Sequence, residues 1–172
     1  MANTYTLINS SALTGSAASV IFSSIPATYT DLKLVWSVRT DYGATRTGFR
    51  IKYNNLTSNY SETYLLGLPA DGAFSGQYTG NAYFWGEYIN GTGATANAFG
   101  SGEIYIPSYT TSIAKPASIF SVAEGNTATD TGMYVKALLM NNSAVITDLT
   151  MTANSGNFVS GSSFWLYGIK NS

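Results

Sequence analysis

The sequence predicts an all-β chain, a single-domain antiparallel β-sandwich of about ten short strands with a jelly-roll-like architecture. Many short segments alternate apolar and polar residues at a period of two, which is typical of strands that bury one face. Gly, Asn and Ser clusters such as NGTG and SGSS separate many of these segments and are typical of turns. Short strands joined by such turns are characteristic of sandwiches and barrels.

The alternation is clearest in two segments, LKLVWSVR and FRIKYN. In each of them every second residue is apolar, so one face of the strand can be buried while the other face stays more exposed to solvent. We therefore expect a contiguous core built from these two strands through Leu34, Trp36, Val38, Phe49 and Ile51.

The other segments with strand composition are, in chain order, TYTLINS, ASVIFSSI, YSETYLLGL, NAYFWGEYI, GEIYIPS, SIFSVAEG, GMYVKALLM, AVITDLTMT and SFWLYGIK. The best helical alternative is TGMYVKALLMNN, but it is short and lacks good caps, so we interpret it as a strand. We expect long loops at 69–80 and 91–100. With no internal repeat and no linker, the whole of 1–172 is predicted to form one domain.

Composition and charge argue against several classes of partner. Charged residues make up 10% of the chain, the net charge is −1, and the eight Lys and Arg residues are scattered. Nucleic acids and anionic membranes both require a basic patch, so neither is an expected partner. No apolar run approaches the length of a membrane span, and the first residues do not resemble a signal peptide. We expect a chain made in a cytosol.

The residue types argue against most enzymatic chemistry. The chain has neither histidine nor cysteine, which removes His-based triads, thiolate nucleophiles and the commonest transition-metal ligands. We expect no enzyme activity, no cofactor and no metal. Nine Asp and Glu residues are spread along the chain, and the closest two in sequence are Glu124 and Asp130. Because a catalytic carboxylate pair can still meet in space, a glycan depolymerase stays open as an alternative.

Three predicted strands are apolar on both faces. In the terminal strand, Phe164 and Leu166 point one way, whereas Trp165 and Tyr167 point the other. A two-layer sandwich has one inner face per sheet, so loops or other subunits must cover the second face. We favour other subunits. The interface candidates are Tyr83, Trp85 and Ile89 in NAYFWGEYI and Trp165, Tyr167 and Ile169 in the terminal strand.

The phrases IPATYTDLKLVWSVRT, LTSNYSETYLLG, IYIPSYT and FWLYGIKNS, in this order, resemble a group of small β-rich virion proteins of tailed bacteriophages. Members of this group are head decoration (cement) proteins or domains of tail and head fibres. The resemblance extends from about residue 5 to the end of the chain and includes no catalytic motif. It implies a jelly-roll-like sandwich that commonly assembles as a homotrimer.

Together, the residues and the resemblance predict a non-enzymatic structural protein of a phage virion, made in the host cytoplasm. We favour a decoration protein that braces the capsid lattice, with further copies of itself and the major capsid protein or another virion protein as partners. The first alternative is a fibre or receptor-binding domain that recognises a host surface glycan.

Overall fold

A computed structural model describes residues 4–69, 72–126 and 132–170 of the chain. These residues form fourteen β-strands and no helix. In chain order the strands are β1 (Tyr5–Ala12), β2 (Ser19–Phe22), β3 (Asp31–Val38), β4 (Arg46–Thr47), β5 (Phe49–Tyr53), β6 (Tyr60–Leu68), β7 (Gly72–Asn81), β8 (Phe84–Trp85), β9 (Ile89–Asn90), β10 (Gly100–Ile106), β11 (Lys115–Ala123), β12 (Gly132–Met140), β13 (Leu149–Ala153) and β14 (Ser163–Ile169).

Two antiparallel sheets form a sandwich, as the sequence predicts. The larger sheet has eight strands in the order β1-β14-β3-β10-β11-β12-β6-β7, and the smaller has four in the order β2-β13-β5-β8. The short strands β4 and β9 form a separate pair. A jelly roll divides eight strands between two sheets, whereas this sandwich divides twelve strands as eight and four.

The core lies between the two sheets, and the sequence prediction of its centre is confirmed. Leu34, Val38, Phe49 and Ile51 are fully buried, and Trp36 is 1% exposed. The Trp36 and Phe49 rings meet edge to face with their centroids 5.1 Å apart. Strand alternation is responsible, because it directs every second side chain of β3 and β5 into the space between the sheets.

Two segment predictions are wrong. The sequence predicts a loop at 69–80, but Gly72–Asn81 forms the edge strand β7, which pairs with β6. Residues 70 and 71 lie outside the described part of the chain. Edge strand β7 is exposed on both faces, so its sequence shows no alternation. The segment NAYFWGEYI does not form one regular strand. Its two parts, β8 and β9, run in the same direction along β5 and β4, but the pairing register shifts by one residue between them, around Glu87, whose φ is 52°.

Strand β12 of the eight-stranded sheet has an unusual distribution of polar and apolar side chains. Its inner positions are Tyr134, Lys136, Leu138 and Met140, and all four are buried. The outer positions include Met133, Val135 and Leu139, which are 50%, 51% and 40% exposed. A lysine thus points inward while its apolar neighbours point outward, the reverse of the usual polarity of a sheet.

Candidate functional site: an outer sheet face and an aromatic cleft

The first candidate surface is the outer face, which we define as the outward-pointing side chains of the eight-stranded sheet. Cross-strand pairing aligns outward residues of six adjacent strands, β14 to β6, in one row: Trp165, Val35, Glu103, Phe120, Val135 and Leu65. The large apolar side chains that this face leaves at least 40% exposed are Tyr5, Leu7, Leu65, Phe120, Met133, Val135 and Leu139. An apolar surface spread over so many strands is typical of an interface.

The outer face carries few charges, two of which form an ion pair. Among the described strand residues they are Asp31, Lys33 and Glu103, and the Lys33 ammonium lies 2.8 Å from a Glu103 carboxylate oxygen. Asp31 is buried and accepts hydrogen bonds from the Tyr105 hydroxyl at 2.7 Å and the Ser108 N–H at 2.8 Å. The bond to Asp31 raises the pKa of Tyr105 to about 12. The face can therefore meet an apolar partner without leaving an isolated charge.

The second candidate surface is an aromatic cleft on the opposite, inner side of the same sheet. Its volume is about 580 Å³, and its aromatic lining residues are Tyr64, Tyr78, Tyr83, Trp85, Tyr88 and Tyr134. Strands β6, β7 and β12 supply one wall, and the segment around β8 supplies the other. Gly76 of β7 makes room for this wall, because a Cβ atom there would lie 2.5 Å from the Tyr64 hydroxyl.

The rings of the cleft are held in pairs. Tyr64 and Tyr78 stack with centroids 5.6 Å apart, and their side-chain hydrogen bond raises the pKa of Tyr78. Tyr83 and Trp85 meet edge to face at 4.9 Å. The Arg50 guanidinium lies 4.8 Å from the Tyr83 ring centroid, within the range of a cation–π contact. These contacts fix the orientation of the rings that line the cleft.

A buried ionic cluster lies beside the cleft. The Lys136 ammonium is 3.1 Å from Glu62 Oε1 and also contacts Glu87 Oε1. The side chains of Lys136 and Glu62 are fully buried, whereas that of Glu87 is 12% exposed. Burial raises the pKa of Glu62, opposed by the attraction of Lys136 and by hydrogen bonds from Lys136 and the Trp85 N–H. Both carboxylates are thus engaged by one ammonium group.

The interface candidates from the sequence divide between these two surfaces and the interior. Trp165 and Tyr167 lie half-buried on the outer face, and Tyr83 and Trp85 lie half-buried in the aromatic cleft. Phe164 and Leu166 enter the core as expected.

Ile89 and Ile169 are corrections to the sequence interpretation, because their own chain buries both of them. Ile89 is fully buried in the core, because the one-residue shift of register around Glu87 exchanges the faces of the segment between β8 and β9. Ile169 is 4% exposed and is flanked by its cross-strand neighbours Tyr5 and Asp31.

Sequence reasoning missed the ionic cluster and the cleft walls on β6, β7 and β12. Glu62, Glu87 and Lys136 are far apart in the chain. The pairing of β6 with β12 and the placement of the segment between β8 and β9 bring them together. Lys136 did give one signal, since it is the one charged residue in the apolar segment GMYVKALLM. A lysine at a strand position of this kind needs a buried partner if it points inward.

No protein-family model, curated protein or solved structure matches this chain. Within the described residues, no helix is long and apolar enough to cross a membrane. In that same part of the chain, no group of three or more Asp or Glu residues is placed to hold a metal ion.

Proposed function

We propose that this chain is a non-enzymatic structural component of a bacteriophage virion, a capsid decoration protein that associates with further copies of itself through the outer face. The observation that supports the proposal most strongly is the row of outward residues from Trp165 to Leu65, which joins exposed apolar side chains across the sheet. The virion assignment rests on the resemblance described above.

The size of the outer face suits an interface. Eight strands at a spacing of about 4.8 Å and with a mean length of about eight residues give a surface of about 900 Å². A standard protein interface buries about 800 Å² on each partner. Because Lys33 pairs with Glu103 and Asp31 is buried within its own chain, each copy brings few exposed charges to the contact.

Trp165 is the residue on this face that we expect to contribute most. It is half-buried beside Val35 and Ser10 on the neighbouring strands, so part of the indole remains available to a partner. Tryptophan is the residue type most enriched among interface hot spots. Trp165→Ala should therefore weaken self-association by about 2 kcal/mol or more while folding is largely kept.

The ionic cluster supports the non-enzymatic part of the proposal. A glycan depolymerase needs two carboxylates that reach the substrate. Glu62 and Glu87 are the acidic residues beside the aromatic cleft, but Glu62 is inaccessible and Lys136 engages both.

The test is a cryo-EM reconstruction, with a copy-number measurement, of the particles produced by the genome that encodes this chain. A decoration protein should occupy the head surface in numbers that follow the capsid lattice, with its outer face buried. A few copies at a fibre tip would support the receptor-binding alternative. Absence from the particle would refute the virion assignment.

A further inference from the structure

We propose that the aromatic cleft is a carbohydrate-binding site that takes a short oligosaccharide. The cleft lies on the inner side of the eight-stranded sheet, opposite the outer face. A chain docked through its outer face would therefore present this cleft away from the docking surface. The inference goes beyond the structural role and rests on different residues.

The dimensions and lining of the cleft suit a small polar ligand with apolar patches. Its volume of about 580 Å³ falls within the range of small-molecule sites, about 300 to 1,000 Å³. Tyr78 is 46% exposed, and Tyr64, Tyr83, Trp85 and Tyr88 are half-buried. Such rings combine an apolar body with a polar edge, whereas rings that serve only the core are fully covered.

Sugars match this combination. One face of a pyranose ring carries aliphatic C–H groups that pack on an aromatic face, while the surrounding hydroxyls need both donors and acceptors. The cleft supplies tyrosine hydroxyls on Tyr64 and Tyr78 and amide groups on Asn81 and Asn154. The edge of the Glu87 carboxylate that remains 12% exposed adds an acceptor.

The charges of the cleft argue against nucleic acids and other polyanions. Lys136 is neutralised by Glu62 and Glu87. Arg50 donates two hydrogen bonds to Asn154 Oδ1, at 3.2 Å from Nε and 2.8 Å from Nη2, and also stacks on Tyr83. Phosphate recognition needs cations directed at the ligand. Arg46 lines the cleft, and its guanidinium lies 4.0 Å from the centroid of the Tyr88 ring. Each of these three cations therefore contacts a residue of the cleft walls, which favours a ligand recognised by stacking and hydroxyl contacts.

The test compares the full-length chain with Tyr83→Ala and Tyr78→Ala in the cleft. The matched control is Tyr42→Ala, because Tyr42 is 42% exposed and does not line the cleft. The probes are cellohexaose, maltohexaose, the N-acetylglucosamine hexamer and hexagalacturonate, which separate neutral from acidic sugars. Saturation-transfer NMR detects contact with the sugar C–H groups, and titration gives the dissociation constant.

We expect at least one probe to bind. Each cleft substitution should raise the dissociation constant about tenfold, which corresponds to about 1.4 kcal/mol of binding free energy. This value is near the upper end of the free energy that one aromatic contact contributes. Tyr42→Ala should bind as the parent does. Tyr83→Phe keeps the aromatic ring and should retain most of the affinity. It thereby separates the loss of the ring from a folding defect caused by any substitution at this position.

Two results would overturn the proposal: no binding of any probe at millimolar concentration, or binding that survives both cleft substitutions. Neither result would affect the docking role, because the cleft and the outer face share no residue.

Discussion

Val135→Lys is the substitution that probes the outer face most sharply. Val135 is 51% exposed and lies in register between Phe120, 44% exposed, and Leu65, 55% exposed. Full burial of an aliphatic or aromatic side chain contributes about 1.5 to 3 kcal/mol of stabilisation. Burial of the exposed half of each of these three side chains in an interface therefore contributes about 1 kcal/mol. Lysine removes the Val135 contribution and adds a charge that a partner must desolvate.

We therefore expect Val135→Lys to weaken self-association by at least about 2 kcal/mol, a factor of about thirty in the dissociation constant. The fold should persist, because the side chain already faces solvent in the isolated chain. Ile21→Lys is the matched control, since Ile21 is 59% exposed on β2 of the other sheet. Sedimentation equilibrium measures the association, and thermal melting checks the fold. Equal association of parent, variant and control would refute our assignment of the interface.

Two further predictions concern stability and are measured by urea denaturation. Trp36→Ala should lower the free energy of unfolding by about 3 to 5 kcal/mol, because it opens a cavity beside Phe49; a parent-like midpoint would contradict the core assignment. Lys136→Met should cost about 3 to 5 kcal/mol at pH 8, because it leaves Glu62 and Glu87 without a counter-charge. Burial raises the pKa of Glu62, so the Glu62 carboxyl binds a proton more tightly in the folded chain than in the unfolded chain. The decrease in the free energy of unfolding caused by Lys136→Met should therefore become smaller as the pH falls towards 4.5. A loss that does not depend on pH would show that lost packing causes it.

The sequence predicts those strands that bury one face and expose the other face to solvent. In β3 and β5 the alternation identifies Leu34, Trp36 and Phe49 as core, and the structure agrees. In β7 neither face is buried, so no periodic signal exists, and Gly-rich composition suggests a loop instead. Edge strands without a buried face are therefore the part of this fold that periodicity cannot predict.

The same reasoning explains which site residues could be predicted. Alternation separates Trp165 and Tyr167 from the core residues Phe164 and Leu166, because β14 is one regular strand. It fails for Ile89, because the pairing register shifts by one residue around Glu87 and so exchanges the two faces of the segment.

In β12 both faces are apolar, so local sequence does not decide which face turns inward. The face of β12 that turns inward is the face on which Lys136 meets a counter-charge. The two counter-charges, Glu62 and Glu87, come from other segments of the chain. The cleft walls are likewise assembled from segments that are distant in the chain.

We propose that an apolar, nearly neutral outer face holds copies of this chain together. The most direct test is the oligomeric state of the isolated protein, measured by sedimentation at low and high salt and at pH 6 and pH 8. Because the chain has no histidine and the outer face has few charges, we predict a trimer that persists as salt rises from about 0.05 to 0.5 M and across this pH range. A trimer that dissociates at high salt would show that charge pairs hold it together, and a monomer under all conditions would contradict self-association through this face.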